Sequence, residues 1–165
     1  MKKIGIIMGS DSDLPIIKKA ADTLTVLGIQ YEVHIFSAHR TPDEARDFAK
    51  KARSDGFGCI IAAAGMAAHL AGAIAANTTL PVIGIPCKSG SLNGIDSLLS
   101  TVMMPSGIPV ATVAIDGGTN AALLAAQILA VEDNMLAEKL DKMRADSARV
   151  ILEKDATIKE KLQQQ

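Results

Sequence analysis

Five short apolar runs recur along the first two thirds of the chain: KIGIIM (Lys3–Met8), YEVHIF (Tyr31–Phe36), CIIAAA (Cys59–Ala64), PVIGIP (Pro81–Pro86) and PVATVAI (Pro109–Ile115). Most are too short for helices and rich in Ile and Val, so they read as strands. The near-continuous ones read as strands covered on both faces. Helical patterns fall between and after them, over Leu14–Leu27, Pro42–Ser54, His69–Asn77, Gly94–Met103 and Asn120–Ala130. Alternation of this kind predicts a parallel sheet with helices on both sides. Right-handed crossovers then narrow the topology to a doubly wound α/β sheet.

Helix boundaries are marked by residue type. Thr41-Pro42-Asp43-Glu44 has the form of a capping box with Pro at the first helical position. Asp13 precedes Leu14-Pro15 and reads as a cap, while Gly28 and Gly56 fit helix stops. The tail from Glu132 to Gln165 is charge-rich, with apolar residues such as Leu136, Leu140 and Met143 at helical spacing, and reads as one amphipathic helix or two. No internal repeat or linker is visible. The whole chain, 1–165, therefore reads as one domain, with an α/β core over 1–131 and a C-terminal helical extension over 132–165.

Composition narrows the function. A net charge of −1 argues against a nucleic-acid or membrane-surface binder, since both need a basic excess. The N-terminal apolar run turns polar too soon for a signal peptide or a membrane span, so the expected location is the cytoplasm. Aromatic residues make up only 2% of the chain, which weakens any model that stacks a flavin on rings. Cys59 and Cys87 lack metal or redox spacing and read as reduced small hydrophobes. No His, Cys or carboxylate cluster has metal-ligand spacing, so no metal is expected.

Charge is also unevenly placed. From Gly56 to Ile115 the only Lys, Arg, Asp or Glu residues are Lys88 and Asp96. The helical stretches HLAGAIAANT and NAALLAAQILA carry none. Helices without a charged face are buried, and a small domain has little left to cover them. Further copies of the chain are the expected cover, in a closed homo-oligomer to which the amphipathic tail adds contacts.

In an open α/β sheet, ligands bind beyond the carboxyl ends of the strands. Those ends are GSDSD (Gly9–Asp13), SAHRT (Ser37–Thr41), AGMAAH (Ala64–His69), PCKSGSLNG (Pro86–Gly94) and IDGGTN (Ile115–Asn120), most of them rich in Gly, Ser and Ala. The first loop has neither the dinucleotide fingerprint nor a Walker pattern. Its two carboxylates, at positions 11 and 13, disfavour a bare polyphosphate, and Asp13 suits a sugar hydroxyl. His39-Arg40 sets a proton shuttle beside a planar fork for phosphate, near the positive end of the next helix dipole. His69 is a second candidate or a loop-orienting residue, and His34, inside a strand, reads as structural.

Together GSDSD, SAHRTP, AGMAAHL, PVIGIP, LNGIDSLLSTVMMPSGIPVATVAI and TNAALLAAQIL resemble the PurE family of class I N5-carboxyaminoimidazole ribonucleotide mutases, over roughly Ile4 to Leu129. The resemblance implies a flavodoxin-like three-layer α/β/α sandwich with a central parallel sheet, a homo-octamer, and a reaction free of metals and cofactors. His39 matches the family's catalytic histidine. Ser10, Asp13 and Arg40 match its ribonucleotide site, with Ser12 and Ser37 as additional contacts. Gly65 and Ala67 match the small-residue loop at the reacting ring, with His69 at its end; Ser89 and Leu92 lie in the matching fourth loop. The implied functional partner is an ATP-dependent synthetase that makes the carbamate substrate. A carboxylase branch using free CO2 is the alternative, and it usually carries Lys at the position of Arg40. A flavodoxin-like nucleotide-binding module without catalysis is a remoter one. Two departures stand out: Met66 where Gly is common, and a short DGGTN segment.

Overall fold

The computed structural model describes residues 2–163, so Gln164 and Gln165 of the expected extension lie outside the described residues. Strands β1 (Lys3–Met8), β2 (Tyr31–Ile35), β3 (Phe57–Gly65), β4 (Val82–Cys87) and β5 (Ala111–Thr112) pair in parallel in the order β2-β1-β3-β4-β5. This is the doubly wound order of the flavodoxin-like class, with its switch point between β1 and β3. The helices are α1 (Leu14–Leu27), α2 (Pro42–Lys51), α3 (Leu70–Ala75), α4 (Ile95–Val102), α5 (Gly118–Ala130) and α6 (Asn134–Gln163).

The continuously apolar runs are the interior strands. All six residues of β4 are buried, as are five of the six in β1. The edge strand β2 alternates with exposed residues. On one face Ile7, Ile60 and Ala62 pack with Ala45 and Ala49 of α2 and with Leu70 and Ile74 of α3. Phe48 of α2 fills the space a side chain at Gly5 would take. On the other face α5 meets α1 so closely that a Cβ on Gly118 would collide with the Ile16 carbonyl. Chain contacts divide after Leu129, with a second compact unit, containing α6, beginning at Ala130. No helix among the described residues is long and apolar enough to cross a membrane.

Several local expectations change. The fifth strand was expected over Pro109–Ile115, but only Ala111 and Thr112 pair. Pro109 has no donor, and beyond Thr112 the chain keeps only single bonds, from Val113 N to Gly84 O and from Asp116 N to Pro86 O. Thr41 starts α2 without the capping box. Its hydroxyl instead accepts from Ser37 N at 2.8 Å. Asp13 makes no side-chain cap on α1. Helix α2 stops at Lys51, earlier than expected, and Gly56 at φ 86° closes the turn that leads into β3.

The uncharged helices are buried along one side within the chain, while Leu123, Leu124, Ile128 and Leu129 of α5 are only half-buried. In α3, Leu70, Ala71, Ile74 and Ala75 are buried, and in α5 Ala121, Ala122, Ala125 and Ala126 have no exposure. Small residues let these helices sit tightly on the sheet. A stripe of open apolar surface lies on α4 and the turn before it, where Leu92, Ile95, Leu99, Val102 and Met103 are exposed at helical spacing.

Gly84, in the middle of β4, shows how tight the packing is. A Cβ there would collide with Thr101 Cγ2 of α4 and lie 3.0 Å from Val110 Cγ1 and 3.2 Å from Ala71 Cβ of α3. Gly84→Ala is therefore expected to destabilise the fold by about 1–3 kcal/mol, read as a lower urea midpoint at unchanged slope.

Candidate active site

Four loops at the carboxyl edge of the sheet enclose a cleft of about 630 Å³. The loop after β1 contributes Gly9, Ser10, Ser12 and Asp13; that after β2 contributes Ser37, Ala38, His39 and Arg40. Gly65, Met66, Ala67 and His69 come from the loop after β3, and Lys88 and Ser89 from the loop after β4. A larger hollow of about 1020 Å³ is lined by Lys50, Arg53, residues 75–82 and 107–109, and Ala111. It holds neither a His nor a carboxylate, so acid–base chemistry belongs to the smaller cleft.

Each polar group has a local cause for its position. Ser10 is extended and caps a 3-10 turn over Asp11–Asp13, accepting from Ser12 N at 3.4 Å. Asp13 ends that turn only 7% exposed. Burial pushes its carboxyl above the ordinary carboxylate range; bonds from the Ser10 amide, the Cys87 thiol and the Ser12 hydroxyl pull the other way. The Cys87 thiol is pushed up in turn, by burial first and then by the charges of Asp13 and Asp116. Burial also pushes Cys59 up to about 12, which fits two inert thiols.

Ser37 fixes the histidine corner. Its hydroxyl accepts from His39 N at 3.3 Å and from Arg40 N at 3.2 Å. Arg40 Nη2 donates to Gly9 O at 3.0 Å, tying the second loop to the first. That bond uses one of five guanidinium donors and leaves the others for an anion. His39 Nε2 stands 3.0 Å from His69 Nδ1, with the two rings nearly perpendicular at 82°. One ring must donate and the other accept, so the pair can hold a proton and hand it on. His34, by contrast, stacks on Phe36 away from this cleft, centroids 5.0 Å apart.

The third loop turns sharply. Met66 adopts φ 55°, a left-handed conformation that glycine takes without steric cost. Met66 N donates to Ser89 Oγ at 2.8 Å, and a Cβ on Gly65 would stand 2.9 Å from the same oxygen. The loops after β3 and β4 are thus tied as closely as those after β1 and β2.

Ten of the eleven anticipated site residues line the cleft: Ser10, Ser12, Asp13, Ser37, His39, Arg40, Gly65, Ala67, His69 and Ser89. Leu92 does not. It ends a short 3-10 turn, the chain then passes through Asn93 at φ 52° and Gly94 at φ 90°, and Leu92 is 61% exposed. Sequence reasoning gave no role to Lys88, which lines the cleft, or to Asp116, whose Oδ1 accepts from Lys88 N at 2.8 Å. The available signal was that Lys88 is the lone cation of a long uncharged stretch and follows a strand end.

The topology and the cleft define a doubly wound α/β protein with a polar cleft at its switch point. The chain belongs to the AIR carboxylase family, whose model matches residues 3–150. Over 157 residues it is 57% identical to the N5-carboxyaminoimidazole ribonucleotide mutase of Pyrococcus horikoshii, covering 95% of this chain and 89% of that protein. It is 55% identical to the enzyme of the same name from Bacillus subtilis, over 91% of this chain and 94% of that one. The crystal structure of Treponema denticola PurE superposes with a TM-score of 0.86 at 34% identity, covering 93% of this chain and 96% of that chain.

The buried Asp13 makes stability depend on pH. Its pKa is raised in the fold, so the folded state holds the proton more tightly, and stability declines as pH rises through the native pKa. Asp13→Asn is expected to raise the melting temperature at pH 7–8 by a few degrees, with the gain shrinking towards pH 4. Thermal melts of both proteins across that range check it.

Proposed function

We propose that this chain is an N5-carboxyaminoimidazole ribonucleotide mutase of purine biosynthesis, acting in the cytoplasm as a homo-octamer on a substrate made by an ATP-dependent synthetase. The mutase names of its relatives support the activity, and the observation that carries the chemistry is the His39–His69 pair set between Arg40 and the Gly65 loop.

The substrate bears a carbamate on the exocyclic amine of an aminoimidazole ribonucleotide, and the product bears that carboxylate on the ring carbon. The carbamate N–C bond breaks, releasing CO2 and leaving a proton to be placed on the nitrogen. A C–C bond then forms, and the ring carbon gives up its proton. The step is an isomerisation with no net gain or loss of protons. One imidazole can supply the first proton and remove the second, which is the role given to His39. His69, 3.0 Å from it, orients the His39 ring and gives the proton a second seat. Arg40, Ser10 and Ser12 suit the phosphate, Asp13 a ribose hydroxyl, and Ser37 keeps the corner in place. The apolar loop around Gly65 and Ala67 offers a dry wall against which transient CO2 is retained.

For the assembly, the open stripe on α4 is the supporting surface. Beside it, Asp96 Oδ1 is buried without a hydrogen-bond partner. The exposed apolar residues of α6, among them Ile151, Leu152 and Ile158, offer a second contact.

The wild-type protein is expected to convert the carbamate substrate to the 4-carboxy product without added bicarbonate, followed by absorbance. His39→Asn should abolish turnover while keeping nucleotide affinity within about tenfold, since it removes a proton carrier and little binding energy. A bicarbonate requirement would point to the carboxylase instead, and full activity in the variant would remove His39 from its role. Leu99→Glu on the α4 stripe is expected to shift sedimentation from an eight-chain species to smaller ones.

A further inference from the structure

Lys88 is the one cation that the cleft gains from the loop after β4. Its surroundings differ from those of an ordinary surface lysine. The backbone amide is held at 2.8 Å by Asp116 Oδ1, and Asp116 itself is locked at φ 57° with its own amide bonded to Pro86 O. The next residue, Ser89, is tied to Met66 N at 2.8 Å. The stem of Lys88 therefore starts from a fixed point at the cleft wall. Its ammonium makes no ion pair or hydrogen bond with the other described residues, unlike those of Lys3, Lys18 and Lys159. An unpaired cation on a fixed root beside a ligand cleft is available to a ligand anion.

The strand order says which anion. Arg40 follows β2 and Lys88 follows β4, and the order β2-β1-β3-β4 puts three strand spacings between those ends, about 14 Å. The His39–His69 pair stands between them, His69 on the loop after β3. A mononucleotide lying along the edge with its phosphate at Arg40 presents its ring to the histidines. Whatever the ring carries beyond them faces the loop after β4.

We propose that Lys88 is a second anion anchor and a specificity-determining residue of this cleft, recognising the carboxylate carried by the imidazole ring while Arg40 holds the phosphate. The inference rests on the ribonucleotide reading above and adds to it a division of labour between two cations. A cation at that end attracts the carboxylated forms of the ligand and not the bare aminoimidazole.

The test separates the two anions. Binding of aminoimidazole ribonucleotide and of 4-carboxy-5-aminoimidazole ribonucleotide to the full chain is measured by titration calorimetry for wild type, Lys88→Gln and Lys88→Arg, with melting temperatures checked first. Lys88→Gln is expected to weaken the carboxylated ligand by about tenfold, the loss of one charge-assisted bond, and to leave the uncarboxylated one within about twofold. Lys88→Arg should keep both ligands within about threefold, since the charge remains. Equal weakening of both ligands by Lys88→Gln would overturn the proposal, because it puts Lys88 at the shared phosphate. No change in either would overturn it as well. A wild-type protein that binds neither nucleotide would instead sink the ribonucleotide reading, and the inference with it.

Discussion

The parallel sheet ends its strands together, and the cleft depends on that shared edge. β1, β3 and β4 are buried on both faces, so their backbone groups are spent on one another and their side chains on the helices. Chemistry is left only the turns, where four chain segments emerge within a few strand spacings. Small residues make this possible. Gly5 and Gly84 admit Phe48 and Thr101 against the sheet, and Gly118 admits Ile16, so the helices lie close and the turns above them converge. A looser sandwich would hold the same loops with the same residues too far apart to share a ligand.

Convergence alone would leave the loops mobile, and two ties remove that freedom. Arg40 bonds Gly9 O, joining the turns after β2 and β1, and Ser89 bonds Met66 N, joining the turns after β4 and β3. The histidine pair then bridges the two halves, from the turn after β2 to the turn after β3. The guanidinium and the imidazole pair are thereby held in one frame. A guanidinium with spare donors sits on one side and the small-residue loop at Gly65 and Ala67 on the other. For a ligand whose reacting carbon must face one ring nitrogen, that rigidity supplies orientation before any chemistry begins.

Much of this was legible in the residues. β1 and α1 have the bounds their patterns predict, because an unbroken apolar run and a periodic one each end at strong punctuation, Gly9 and Gly28. The site loops were legible because strand–helix alternation fixes which turns share an edge. Less legible were features set by distance between segments. His39 and His69 lie thirty positions apart, and nothing local says that their rings meet. Thr41 has the letters of a capping box, yet Ser37 N competes for its hydroxyl and wins. The uncharged helices are buried along one side by small side chains, Leu123, Leu124, Ile128 and Leu129 of α5 stay half-buried, and a further open apolar face lies on α4, which the charge pattern did not single out. Lys88 was visible as an isolated charge, but nothing local shows that its backbone is held at the cleft by Asp116.

Three residues other than glycine hold positive φ among those described: Met66, Asn93 and Asp116. All three lie in the segments that follow β3, β4 and β5 at the same edge of the sheet, and none lies at the opposite edge. Each costs about 1 kcal/mol or more relative to an ordinary conformation. The cost is offset locally where the turn serves the cleft. Met66 turns so that its amide reaches Ser89, and Asp116 turns so that its amide reaches Pro86 O while its carboxylate takes the Lys88 amide. Asn93 leads through Gly94 into α4, the helix with the open apolar face. Relaxed turns at Met66 or Asp116 would free the strained residue and lose the bond that fixes the neighbouring loop. The strain is therefore part of how the cleft keeps its shape without a ligand, and it falls on the same side of the sheet as the histidines it helps to position.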